Sequence, residues 1–276
     1  MSRMGLDLAE LTARQITSAR IDKALIPPAE AVPPYARHRD FADAGAAFVR
    51  TAAERGLEPH HRVLDLGCGV GRFAVAFAAF GDDRASYDGL DASAESIGVC
   101  NRYIAPDLER FRFHVADVFS AQYRPDVSAR AADYCFPFPD DSFDFVFSNS
   151  LFTHLTRQDL QRYLHEIGRV LDSGGRTLNT FFLLNAQSRA GIESGKSQLE
   201  FPYTTADGIA RVKRIDRPEA AIAYEETFIR QAHAQAGLRI EDPIRYGEWP
   251  GREASQPGFN NHDFIVAICT GRGSRT

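Results

Sequence analysis

Apolar residues fall into two rhythms along this chain, and each change of rhythm marks a new element. Phe41, Ala44, Phe48 and Ala52 recur at spacings of three and four, which predicts a helix over Asp40 to Arg55. A short apolar run then predicts a strand over Arg62 to Asp65, and Phe73-Ala74-Val75-Ala76-Phe77 predicts a buried helix from Arg72 to about Phe80. Ser86 to Leu90 reads as a second strand, and Ser93 caps a helix that runs to Tyr103. Phe111, Phe113 and Val115 alternate with Arg112 and His114, giving a third strand. The fourth, Phe143-Asp144-Phe145-Val146-Phe147, is nearly all apolar, so both its faces are covered, as in a parallel sheet. A helix over Asp159 to Leu171 turns Leu160, Leu164, Ile167, Val170 and Leu171 inward, with Gly174-Gly175 as its exit. Strands over Thr177–Phe182, Leu238–Ile244 and Asp263–Cys269, with a helix over Pro218 to Ala236, complete the alternation.

Three stretches break that rhythm. Residues 1–37 form an N-terminal arm: Leu6 to Ile26 reads as a helix, and Pro27-Pro28 and Pro33-Pro34 end it. The arm is either packed structure or a lid over a ligand mouth, and the pattern leaves both open. Residues 119–135 and 183–220 are more polar than a minimal connection needs and read as insertions in one domain spanning 38–276.

The chemistry concentrates at Val63-Leu64-Asp65-Leu66-Gly67-Cys68-Gly69-Val70-Gly71-Arg72. Glycine at every second position allows positive φ and close backbone approach by a ligand, and the helix that follows offers unpaired N–H groups. A dinucleotide fingerprint requires a third glycine where this chain has Arg72, so that reading fails. What remains is an acid, one residue, Gly-x-Gly-x-Gly, and a second acid, Asp91, at the end of the next strand.

This pattern resembles the class I S-adenosylmethionine-dependent methyltransferases. The resemblance extends to Val115-Ala116-Asp117-Val118, to the Phe136-Pro137-Phe138-Pro139-Asp140 turn before strand four, and to Arg169-Val170-Leu171 through Gly174-Gly175-Arg176. It covers about residues 38–270 and looks most like bacterial small-molecule methyltransferases. It implies a doubly wound α/β fold, with a seven-stranded, mostly parallel sheet whose last strand is antiparallel. It also implies S-adenosylmethionine as cofactor and S-adenosylhomocysteine as product. Asp65, Gly67, Cys68, Gly69 and Gly71 would face the amino-acid end of the cofactor, and Asp91 with Ala92 the ribose. Asp117 would accept from the adenine amino group while Val118 packs on the ring, and Ser148 and Asn149 would complete the contacts.

A hydroxyl acceptor must lose a proton during methylation, and a base with pKa near 7 serves best. His154, a few residues past strand four, is the best candidate, with a helix-start or packing histidine as its plain alternative and His262 and Tyr35 as lesser candidates. Tyr35, Phe152, Trp249, Arg252 and His262 are candidates for the acceptor pocket; Phe152 and Trp249 have core or loop-anchor roles as their plain alternatives. Asp140-Asp141 fit a turn, so no metal site is expected.

Composition removes other classes. The net charge of −5, with no lysine-rich run, offers nothing for nucleic acid, and no stretch has the length and apolarity of a membrane span. Cys68, Cys100, Cys135 and Cys269 are widely separated, which suits reduced thiols and a cytoplasmic setting. The expected activity is methylation of a small molecule, first at a hydroxyl oxygen of a glycan or natural product. Methylation at nitrogen or carbon, and a non-catalytic S-adenosylmethionine-binding regulator, stand as rivals. Monomer and homodimer are both compatible with the sequence.

Overall fold

The computed structural model describes residues 16–34, 41–118, 129–253 and 261–271. The chain divides into two compact units, residues 1–127 and 128–276, with the boundary inside the expected 119–135 insertion. Together they supply the seven strands of a mixed sheet.

In the first unit, helix α1 (Phe41–Ala53) precedes β1 (Arg62–Leu66), α2 (Arg72–Phe80), β2 (Ser86–Asp91), α3 (Ala94–Tyr103) and β3 (Phe111–Val115). β2 pairs in parallel with both β1 and β3. Aromatic residues set the packing: Phe73 and Phe77 of α2 lie 6.4 Å from the ring of Tyr87, which stacks on Phe111 at 5.2 Å. Each such ring taken out of water contributes about 1.5–3 kcal/mol. Gly45 lets α1 approach the start of α2, since a Cβ there would lie 2.3 Å from the Arg72 carbonyl oxygen.

The described part of the N-terminal arm differs from expectation. In place of a helix, residues 16–26 make two short 3-10 turns, Ser18–Arg20 and Lys23–Leu25. Asp22 accepts from the N–H of Ala24 and so starts a separate turn. Arg50 of α1 donates to the carbonyl of Ile16 at 3.0 Å, and Val32 packs in one apolar cluster with Val70 and Val99.

The second unit runs β4 (Phe143–Ser148), α4 (Arg157–Val170), β5 (Leu171–Phe181), β6 (Leu183–Leu184) and α5 (Ala186–Glu193). It continues with β7 (Tyr203–Thr204), β8 (Ala210–Val212), β9 (Ile222–Glu225), α6 (Glu226–Gln235), β10 (Leu238–Ile240) and β11 (Asp263–Cys269). β4 is parallel to β5, and β11 lies antiparallel between β5 and β10. β5 begins at Leu171, not Thr177, because Asp172 to Gly175 form a bulge where the register with β4 jumps from Leu171 to Arg176. The two glycines therefore bend a strand instead of ending α4; Gly174 takes φ 83° there.

The stretch expected to be an insertion and then a helix builds a second sheet of four strands, ordered β6-β9-β8-β7. Pro218–Ala220 is a 3-10 turn and Ile222–Glu225 a strand, so the expected helix shrinks to α6. Pairing of Ile222, Ala223 and Tyr224 with β8 outweighs the local helical rhythm. Phe182, Leu184, Phe201, Ala221, Ala223 and Trp249 form the core of this part. The Tyr224 hydroxyl donates to the Leu155 carbonyl and the Ile222 N–H to that of Thr153, fastening the second sheet to the segment after β4.

Candidate active site

The glycine loop of the first unit joins β1 to α2. Gly67, Gly69 and Gly71 take φ of 75°, 54° and 80°, a region that L side chains rarely enter. They are not equivalent. A Cβ on Gly71 would lie 2.5 Å from Ile104 Cδ1, whereas one on Gly69 would meet nothing within 4 Å. Gly69 therefore faces open space, and conformation alone demands glycine there.

Asp91, the last residue of β2, ties the loop in place. Its Oδ2 accepts from the Gly69 N–H at 2.8 Å and its Oδ1 from the Ser93 N–H at 2.7 Å. Burial raises its pKa above the usual carboxylate range, and those two N–H groups work against the rise. Each oxygen keeps a further lone pair, so the carboxylate can accept from two vicinal hydroxyls. Asp65 lies deeper, 2% exposed, accepting from the Tyr87 hydroxyl at 2.7 Å. Burial carries its pKa to about 7 despite that bond. Cys68 is buried as well, its thiol pushed up by desolvation, which makes it a packing residue and not a nucleophile.

Past β3, Asp117 is exposed and Val118 buried. The exposed apolar residue at that strand end is Val115, 39% accessible, which sequence reasoning assigned to the strand alone. Alternation placed Val115 inward with Phe111 and Phe113; its position at the strand's carboxyl end frees it. Open backbone at Gly69, a two-handed acid and an exposed Val115 suit an adenosine bearing an amino-acid tail.

In the second unit, Ser148 is fully buried, its hydroxyl donating to Asn179 Oδ1 at 2.9 Å. Asn149 Oδ1 and Asn179 Nδ2 are buried without a hydrogen-bond partner among the described residues. Buried polar atoms of that kind at a strand's carboxyl end are groups a ligand can satisfy. His154 is exposed, with Nδ1 2.9 Å from the Glu219 carbonyl oxygen. Tyr35 lies outside the described residues.

Three acceptor candidates have structural work instead. Phe152 is fully buried against Phe181, ring centres 5.0 Å apart. Trp249 has no exposed surface and cannot stack on an acceptor; its indole N–H donates to Asp263 Oδ2 at 2.8 Å. Arg252 also points at Asp263, with a second bond from Nε to the Gly247 carbonyl. Asp263 accepts in addition from the N–H groups of Leu183 and Gly247, and burial raises its pKa to about 6. It pins loop, sheet and strand together, and the sequence shows only an acid opening an otherwise apolar run, with nothing local to name its distant donors. His262, by contrast, lies at the carboxyl edge, beside Ser150.

The fold, a seven-stranded α/β sheet with an antiparallel strand near one edge, is shared with solved S-adenosylmethionine-dependent methyltransferases. Residues 63–175 match the family model described as a methyltransferase domain. The chain is 30% identical over 166 residues to the arsenite methyltransferase of Mus musculus, covering 58% of this chain and 42% of that protein. It is 28% identical over 173 residues to the 27-O-demethylrifamycin SV methyltransferase of Amycolatopsis mediterranei, covering 62% of this chain and 55% of that protein. The chain thus spans about half the length of the curated relatives it matches. A solved S-adenosylmethionine-dependent methyltransferase from Methanosarcina mazei shares the fold, with a TM-score of 0.52 and 20% identity over 79% of this chain and 96% of that one. No helix among the described residues is long and apolar enough to cross a membrane.

Proposed function

We propose that the protein transfers a methyl group from S-adenosylmethionine to a hydroxyl oxygen of a small molecule. The observation that carries methyl transfer is the link between glycine loop and acid: Asp91 holds the Gly69 N–H while keeping lone pairs for the ribose. S-adenosylmethionine supplies a methyl group already activated by sulfonium charge, so the chain's own task is to align the acceptor and take its proton. The second sheet and the segment after β4 supply the residues that select the acceptor. His262, beside Ser150 past the exit of β4, is available for the proton. The named relatives methylate acceptors as different as arsenite and a rifamycin, so the choice of oxygen rests on that histidine.

The test is untargeted. Protein is incubated with methyl-labelled S-adenosylmethionine and an extract of the source organism, and labelled products are identified. A labelled methyl ether is the expected result, and a labelled methyl ester would point to a carboxylate acceptor and overturn the hydroxyl. Label on nitrogen or carbon would overturn the acceptor, and binding of S-adenosylhomocysteine with no labelled product would favour a non-catalytic regulator.

A further inference from the structure

Ser150 lies two residues past β4 and has φ 60°. Among the described residues only Asp141 shares that conformation without being glycine, and Asp141 sits in the turn before β4. Ser150 is in no such turn. It is held in place by three contacts. Its N–H donates to Thr180 Oγ1 at 2.7 Å, its carbonyl accepts from Thr153 Oγ1 at 3.2 Å, and its Oγ lies 3.3 Å from His262 Nε2. A left-handed serine costs about 1–3 kcal/mol and persists only where its surroundings fix it.

His262 is fixed just as firmly. Its ring stacks on Phe182, centres 4.9 Å apart and planes within 20°. The next residue, Asp263, has four donors on its carboxylate and pairs across the sheet with Phe181 at the end of β5. Three chain segments thus converge at the carboxyl edge of β4 and β5, the edge where open α/β sheets bind ligands. His154 lacks this setting: it is exposed to water and bonded to the Glu219 carbonyl, which suits anchoring the Pro218–Ala220 turn.

We propose that Ser150 and His262 are the route by which the acceptor hydroxyl loses its proton, an inference that rests on the hydroxyl acceptor proposed above. As the oxygen–carbon bond forms, the carbon–sulfur bond breaks and its electron pair stays on sulfur, leaving S-adenosylhomocysteine. The acceptor proton passes to Ser150 Oγ while the proton of Ser150 passes to His262 Nε2. The imidazolium so formed lies over the face of Phe182, which favours the charge, and it returns its proton to water afterwards. Neutral His262 must then carry its hydrogen on Nδ1.

The experiment uses full-length wild type, His262→Gln, Ser150→Gly and His154→Gln. Glycine keeps the left-handed conformation and removes only the hydroxymethyl group. Each protein receives methyl-labelled S-adenosylmethionine and the same extract, with calorimetric binding of S-adenosylhomocysteine as a check on the cofactor site. Label transfer should fall about 100-fold or more in His262→Gln and Ser150→Gly, the range for losing a proton acceptor. It should stay near wild type in His154→Gln, with S-adenosylhomocysteine affinity unchanged throughout. Long-range nitrogen NMR should place the His262 hydrogen on Nδ1 and show its Nε2 signal shifting in Ser150→Gly. Wild-type transfer by His262→Gln, or a neutral His262 protonated on Nε2, overturns the inference while leaving the proposed function intact. A wild type that labels no hydroxyl removes the proposed function and the proton route with it.

Discussion

Asp65 and Asp91 are two acids of one motif with opposite tasks. Asp91 is an acceptor with lone pairs to spare, held by two loop N–H groups. Asp91→Ala should weaken S-adenosylhomocysteine binding by at least about tenfold, since charged hydrogen bonds contribute roughly 1.5–3 kcal/mol each. Titration calorimetry measures it, with Asp91→Asn as the partial rescue. Asp65 is buried beside Tyr87, and its pKa of about 7 lies above the 3.8 of an unperturbed Asp. The folded state therefore binds the extra proton between those values. The stability from that proton is full below the unfolded pKa and is lost as pH rises through the folded one, at up to about 1.4 kcal/mol per pH unit. Asp65→Asn, which still accepts from Tyr87, should make the ligand-free protein more stable than wild type at about pH 8 and nearly equal to it at about pH 4. Urea unfolding at the two pH values decides it. Both acids were legible in the sequence because motif and spacing are local. Asp263 was not: its donors come from Leu183, 80 positions away, and Trp249, 14 away, and no local pattern announces such a meeting.

At the scale of elements, periodicity located the strands and helices whose apolar faces run for several turns or alternations. The helix α2 came out at the bounds expected, Arg72–Phe80. It failed where elements are too short to carry a period. The strands β6 to β9 have two to four residues each, and pairing partners alone define them. The Asp172–Gly175 bulge misled for another reason, since glycine after an apolar helix ordinarily ends it. The N-terminal arm offers a test at this scale. Val32 shares a buried cluster with Val70 of the glycine loop, so the arm braces the loop from behind its ligand face or closes over it. Val32→Ser should loosen that cluster, costing about 1–2 kcal/mol in stability. We expect S-adenosylhomocysteine affinity to fall about threefold or more, as arm and loop come apart. Unchanged affinity in calorimetry would make the arm packing only.

Across the whole molecule, the expected cofactor residues between 65 and 118 fall in the first unit, and Ser148, Asn149 and the proposed acceptor residues between 150 and 262 in the second. The first group is expected from motifs lying close together in sequence, whereas the second is scattered and few local patterns point to it. His262 is among the acceptor-pocket residues expected from the sequence, whereas Ser150 carries no sign there of its φ of 60°.

The place of β11 has a consequence for the order in which the chain folds. In the first unit, β1, β2 and β3 follow one another in sequence with a helix or loop between, so their closure needs only short loops. β5, by contrast, borders β11, whose first residue lies 80 positions beyond Leu183, and β10 has no other partner in the sheet. Until β11 is made, β5 shows an open edge of unpaired backbone groups, a template for wrong pairing between chains. During synthesis the first unit should therefore mature first, while the second stays exposed to aggregation until nearly the last strand arrives. Pulsed hydrogen exchange during refolding should show the amides of β1 to β3 protected before those of β5 and β10. Simultaneous protection of both groups would mean that the two units fold as one.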